Sequence, residues 1–272
     1  MFEWRLFLLI TGICIPGIIT AIPRVNSIVE KNLQKIKESG KQLPPRPVLL
    51  AVQMLQTLLL CAGFSALGVW LAPKIAFGAP FLRSLVTPGL PAAENLPPAA
   101  PVLVLSAGGA VLFLILYYLV FERLLDPETV RSMERVRMEG GLATRIFYGG
   151  IVEEVLMRWG LLTVLLFLFN AAGIPLLPAL IWPVIIAVGV LFGLAHLPTY
   201  LAAGCKKTPV FILAMIVLNC FAGTLFGYLY WNYGLFAAIV SHALFHIIWY
   251  PFDVMIAGLR GSTQHSVLPQ SQ

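Results

Sequence analysis

Four side chains used elsewhere for proton transfer or metal binding stand inside apolar stretches of this sequence: Glu153, His196, His242 and His246. An ionisable group placed there is costly, so each needs a reason. Glu153 lies in Gly149-Gly-Ile-Val-Glu-Glu-Val-Leu-Met-Arg158, next to Glu154. Glu154 and Arg158 are spaced i, i+4 with the acid first, the favourable pairing order on a helix. Glu153 projects about 100° away, finds no partner on its own helix, and is available as a general base. The plainer alternative is a buried ion pair and a spare acid that only tie helices together. His196 ends Phe192-Gly-Leu-Ala-His196-Leu-Pro198, where a lone histidine is ordinarily a cap. His242 and His246 share one helical face, a spacing that suits joint hydrogen bonding or joint metal ligation. His265, in the polar tail, is set aside.

The elements that must position these groups are membrane helices. Of 272 residues 59% are hydrophobic and 11% charged, where a soluble domain carries about 25% charged residues. That excludes an ordinary soluble globule and, with the high hydrophobicity, a disordered chain. The expected fold is all-α: a polytopic transmembrane bundle of about seven spans, with eight possible, and interfacial amphipathic helices on the cytoplasmic side. The spans read as 6–22, 47–72, 102–121, 146–170, 179–197, 209–231 and 234–252. The first lacks the charge and cleavage pattern of a signal peptide and is kept as a span, kinked at Pro16-Gly17. By organisation the chain divides into 1–145 (N-terminal spans and basic loops), 146–252 (the core carrying the motifs) and 253–272 (a polar tail).

The net charge of +6 would raise nucleic acid as a partner in a soluble protein. Here the basic residues cluster in short loops and no basic stripe interleaves with aromatics, so none is expected. The 23–46 loop holds Arg24, Lys31, Lys35, Lys37, Lys41 and Arg46, and the 122–145 loop holds Arg123, Arg131, Arg135, Arg137 and Arg145. Lys206, Lys207 and Arg260 fall on the same side if the spans alternate, against Arg5, Lys74 and Arg83 on the other. The positive-inside rule then puts the N-terminus outside and the C-terminus in the cytoplasm, in a cell membrane, with lipid as a partner. Residues 25–36 and the stretch after Asp126-Pro127-Glu128 read as the amphipathic helices, the second ending at Gly140-Gly141. Cys14, Cys61, Cys205 and Cys220 read as small buried hydrophobes.

Depth supplies a check free of any motif. At about 1.5 Å per residue, Glu153 lies roughly 10 Å from the cytoplasmic end of its span and His246 roughly 9 Å from the end of its own. His196 stands near the same end. Three spans running in alternating directions bring their ionisable groups into one half of the bilayer. Gly189-x-x-x-Gly193 and Gly223-x-x-x-Gly227 predict close helix packing. Asn219, Thr224 and Tyr228 are expected to hydrogen-bond across helices, and Tyr230, Trp231 and Tyr233 to form an external aromatic belt.

Taken together, Glu153-Glu154-x-x-x-Arg158, Phe192-x-x-x-His196 and the His242/His246 pair resemble the CAAX protease and bacteriocin-processing family. These are glutamate intramembrane proteases that include the Ras-converting CAAX endoprotease. The resemblance spans about residues 145–250. It implies that Glu153 and His196 activate a water for attack on a peptide carbonyl, that Glu154 and Arg158 support them, and that His242 with the residue four later stabilises the oxyanion. Phe192 belongs to the second motif. The family usually has Asn where this chain has His246. The implied substrate is a CAAX-like C-terminal or membrane-associated peptide, lipidated or not, with no cofactor required. Zinc is the competing possibility, held by Glu153, His196, His242 and His246 with Glu154 as base, as in a metalloendopeptidase. An ion-coupled transporter would want polar groups through the whole depth and repeated halves, which the sequence lacks. A non-catalytic immunity or scaffold protein is the third alternative.

Overall fold

The computed structural model describes residues 2–23, 25–26, 30 and 44–267, with side chains described to Arg260. Apolar residues fill long helices and no strand occurs among the described residues. The helices are α1 (Trp4–Thr20), α2 (Arg46–Leu71), α3 (Ala99–Ile115), α4 (Pro127–Glu139), α5 (Gly141–Thr144), α6 (Thr163–Ala171), α7 (Pro178–Ala202), α8 (Pro209–Tyr233) and α9 (Leu235–Val267), joined by shorter turns. Three stretches are π-helical: Leu116–Phe121 continues α3, while Arg145–Glu153 and Val155–Leu162 link α5 to α6. The expected all-α polytopic bundle is what is found.

Five helices are long and apolar enough to cross a membrane: Arg46–Ile75, Ala99–Leu124, Pro178–Ala202, Pro209–Tyr233 and Leu235–Arg260. The other two expected spans differ for identifiable reasons. The first is a helix of 17 residues, short of the roughly 20 that a bilayer core requires. The fourth is helical from 141 to 171, but wide turns divide it where Glu153, Glu154 and Arg158 stand. The seventh expected span also fails to stop at 252, because α9 runs through Pro251 to Val267.

Packing follows the small residues. A Cβ on Gly193 would lie 2.8 Å from the Ile216 Cα, and one on Gly227 would lie 2.6 Å from an Ile185 methyl, so α7 and α8 approach backbone to side chain as the paired glycines predict. Gly68 of α2 sits against the Trp159 indole, whose Nε1 donates to the Ser65 carbonyl at 3.2 Å. The predicted start of α4 is observed: Asp126 caps it by accepting from the Thr129 N–H at 3.1 Å, with Pro127 in the first turn. Its end is observed too, where Gly141 takes φ +63°, a conformation that glycine adopts without steric cost. The amphipathic helix expected over 25–36, and most of the basic residues of that loop, lie outside the described residues.

Three of the basic segments expected to share a side do meet. Lys206 pairs with Asp126 at 3.4 Å and Glu128 at 2.8 Å, fastening the α7–α8 turn to the start of α4. The Thr129 hydrogen bond, and then Lys206, hold the Asp126 carboxyl below its ordinary range. Arg260 of α9 pairs with Glu134 at 2.7 Å and with Glu122.

Some polar expectations are corrected. Tyr230 is no belt residue: it is fully buried, with its hydroxyl 2.7 Å from that of Thr163. Asn219 donates to Met215 O of its own helix at 2.7 Å, and Thr224 faces Cys220 one turn away, so neither bond crosses helices. Tyr228 stacks on Trp182 instead. Of the four cysteines, Cys14, Cys61 and Cys205 are buried and all are free thiols.

Candidate active site

Buried charge organises the centre of the bundle. Glu154 and Arg158 are both completely shielded from solvent and pair at 2.9 Å, Nη1 donating to Oε1. The same carboxylate oxygen accepts from the Nδ1–H of His242 at 2.7 Å. Arg158 is held further by donating Nη2–H to the Gly223 carbonyl at 3.1 Å, and its guanidinium lies between the rings of Phe192 and Phe226. Gly223 is required there, since a Cβ would stand 3.1 Å from that Nη2. Glu154 and Arg158 therefore orient His242, as a carboxylate orients a histidine whose other nitrogen must face a reacting centre.

His196 is fixed by its own helix. Its Nδ1 is 2.7 Å from the Phe192 carbonyl, and a carbonyl can only accept, so Nδ1 carries the proton. In the neutral ring Nε2 is then an acceptor. Phe192 also packs its ring edge-on against His196, centroids 4.6 Å apart. The four-residue spacing thus supplies both the carbonyl and the wall that hold the imidazole.

Between the two imidazoles stands Glu153, 18% exposed at its side chain where Glu154 is wholly buried. Its Oε1 is 4.0 Å from His196 Nε2 and its Oε2 is 4.0 Å from His242 Nε2. These separations exceed a direct hydrogen bond, and a small polar molecule placed between can reach all three groups. His246 is stacked on His242 at 5.0 Å and parallel to Trp249. Gly149 makes room for it, because a Cβ there would lie 2.8 Å from His246 Nε2 and 3.5 Å from His242 Nε2. All the residues singled out in the sequence therefore converge: Glu153, Glu154, Arg158, Phe192, His196, His242 and His246. Among the described residues no group of three or more His, Cys, Asp and Glu side chains is arranged to hold a metal ion.

Two cavities meet at this point. Both are lined by Thr144, Tyr148, Glu153, Phe192 and His196. One is an apolar groove between the ends of α1 and α2 and the face of α7, reaching Ile18, Met54, Leu156 and Ala195. Val52, Leu55 and Leu59 of α2 and Leu191 and Leu194 of α7 are exposed large apolar side chains beside it. The other cavity runs past His242 and His246 to Arg137, Arg145 and Tyr117.

Sequence reasoning missed that far end. Arg137 and Arg145, expected among the loop charges, are both buried, and both bind Asp253, itself 1% exposed. Asp253 also accepts from the Tyr118 hydroxyl at 2.8 Å. The available signal was the position of Asp253: it lies eleven residues after His242 on a helix with no polar break between, so the tail begins as helix.

An all-α bundle with apolar faces outward and ion pairs and imidazoles gathered inside is an integral membrane protein built around a buried polar centre. Residues 140–248 match the family described as Rce1-like, type II CAAX prenyl endopeptidase Rce1-like. That segment holds every one of the converging residues, and the resemblance read from the motifs is borne out over it: the match is to a CAAX-type protease. No curated protein and no solved structure matches the chain.

Proposed function

We propose that the chain is an intramembrane endopeptidase, hydrolysing a peptide bond near the cytoplasmic leaflet of a prenylated or otherwise membrane-held C-terminal peptide. The observation that carries the reading is the placement of both Glu153 oxygens 4.0 Å from an imidazole Nε2. A water between them donates one hydrogen to Glu153 and the other to His196 Nε2. As its oxygen bonds to the scissile carbonyl carbon, Glu153 takes the proton, and it later passes this to the leaving amine as the C–N bond breaks. His242, held from behind by Glu154, presents Nε2 on the side where the oxyanion develops. His246, stacked on His242, lies where the family's Asn is expected and offers a ring N–H to the same oxyanion.

The apolar groove supports a membrane-side path for the lipidated part of the substrate, and the basic segments gathered beside α4 support a cytoplasmic position for the site. The reading needs no metal. Purified protein in proteoliposomes is given an internally quenched farnesyl-cysteine peptide with three apolar residues after the cysteine. Cleavage is expected to survive a divalent-metal chelator and to vanish in Glu153→Ala and His196→Ala. Full activity in either variant refutes the mechanism, and loss of activity with chelator that returns with zinc refutes its metal-free form.

A further inference from the structure

The face that α8 turns to the cavity running past His242 and His246 carries one polar side chain, and neither the fold nor the hydrolytic chemistry accounts for it. Met215, Leu218, Asn219, Ala222 and Phe226 line that cavity together with Glu153 and His196. These α8 positions recur three and four residues apart, which places them on one side of the helix. Met215, Leu218, Ala222 and Phe226 are buried, while Asn219 keeps part of its surface. That surface is not on the lipid side of α8: the exposed Val217 lies two residues back, about 160° away round the helix.

A polar side chain within a membrane helix is costly, and a bond to another helix ordinarily offsets it. Asn219 makes no such bond among the described residues. Its amide nitrogen donates to the Met215 carbonyl one turn back, at 2.7 Å. A carbonyl can only accept, so the amide has one orientation: Nδ2 faces its own helix and Oδ1 is the branch left over. Oδ1 accepts no hydrogen bond from any described residue. The cavity therefore has on its wall an acceptor that is held in place and not taken up.

A peptide drawn into this cavity has the complementary need. Phe113, Leu218, Ala222 and Phe245 make the surrounding wall apolar, and a main-chain N–H that leaves water for such a wall must find an acceptor. The apolar groove on the other side of Glu153 takes the lipidated part of the substrate, so the residues beyond the scissile bond lie in the cavity that Asn219 lines. We propose that Asn219 is a substrate-binding residue whose Oδ1 accepts a main-chain N–H of the leaving peptide, holding that segment against α8. This rests on the protease reading above and adds the residue that grips the departing side of the substrate.

The test compares three internally quenched farnesyl-cysteine peptides of one sequence. One is the all-amide parent; in each of the others an ester oxygen replaces one of the two N–H groups that link the three residues after the cysteine. The amide that follows the cysteine is unaltered in all three. The wild-type protein is expected to cut at least one ester about 2- to 10-fold more slowly than the parent in kcat/KM, the worth of a neutral hydrogen bond. In Asn219→Leu the parent should slow by a similar factor and the ester penalty should vanish. A purely structural role for Asn219 would slow all three peptides alike and leave their ratios as in the wild type. Equal cleavage of the three by the wild type, a comparison that needs no variant, overturns the assignment while leaving the protease reading intact. An undiminished ester penalty in folded Asn219→Leu overturns it as well. If the wild type cleaves none of them, the protease reading fails and the assignment falls with it.

Discussion

Adjacent carboxylates with opposite burdens allow a sharp separation of stability from activity. Glu154 is wholly buried and is the acid to which both Arg158 and His242 are bonded. In Glu154→Gln the pair loses its negative charge while the arginine charge stays buried. Breaking a buried pair from one side costs about 3–5 kcal/mol. At about 2–4 °C per kcal/mol for a chain of this size, the midpoint of thermal unfolding should fall by roughly 6–20 °C. Glu153 has no ion pair within ordinary bonding distance, its nearest imidazole nitrogens being 4.0 Å away. Glu153→Gln removes a carboxylate from a partly dry site without orphaning a cation, so its midpoint should stay within about 2 °C of wild type. Its cleavage rate should nevertheless fall by about a hundredfold or more, as expected when a general base is removed. Unfolding followed by the fluorescence of Trp159 and its neighbours, beside peptide cleavage by the same preparations, reads both quantities. A stable Glu154→Gln with a destabilised Glu153→Gln would refute the assignment of roles, as would a Glu153→Gln protein that still turns over.

Two further expectations follow from close approaches and surface charge. Gly149→Ala brings a Cβ to 2.8 Å from His246 Nε2, so the ring must leave its stack and turnover should fall roughly 10- to 100-fold. Gly12→Ala, where nothing lies within 4 Å, should leave turnover unchanged, and equal rates in both variants would remove His246 from the site. Because the Asp126 carboxyl is held below its ordinary value by Thr129 and Lys206, its contribution is complete above the unfolded value of about 3.9 and is lost as pH falls through the lower folded value. Protection of the Lys206 amide, bonded to Thr129 Oγ1 at 3.0 Å, taken relative to its intrinsic exchange rate, should therefore fall only in that acid window, and in Asp126→Asn it should already be low and show no such step.

How much of this was legible in the sequence depended on whether a feature was local. Arg158, four residues after Glu154, and His196, four after Phe192, are one-turn relations, and the structure keeps both as direct bonds. The glycine pairs of α7 and α8 and the cap at Asp126 are local in the same sense. What escaped was set by tertiary pairing. Tyr230 looked like an interfacial aromatic because its neighbours Trp231 and Tyr233 are partly exposed, but Thr163 on another helix takes its hydroxyl inward. Arg137 and Arg145 looked like topology-setting charges, and only α9 continuing past Tyr250 brings Asp253 to them. No count of loop lysines and arginines can separate a charge facing headgroups from one drawn inward by a distant carboxylate.

The π-helical turns were equally invisible, and they bear on the chemistry. On an α-helix, neighbours diverge by about 100°, so Glu153 and Glu154 would be expected to serve different faces. In the structure they address the same ring: Glu154 Oε1 meets His242 Nδ1 at 2.7 Å, and Glu153 Oε2 faces His242 Nε2 at 4.0 Å. The wider turns of Arg145–Glu153 and Val155–Leu162 rotate the chain less per residue on either side of Glu154, and such turns are frequent at functional sites. They also allow Gly149 and Gly150 to lie against α9, where a Cβ on Gly150 would stand 3.2 Å from that of Ala243. Two consecutive acids therefore divide one imidazole between them, one bonded to it and the other facing it across a gap of 4.0 Å, and it is the wider turns on either side of Glu154 that bring both to the same ring.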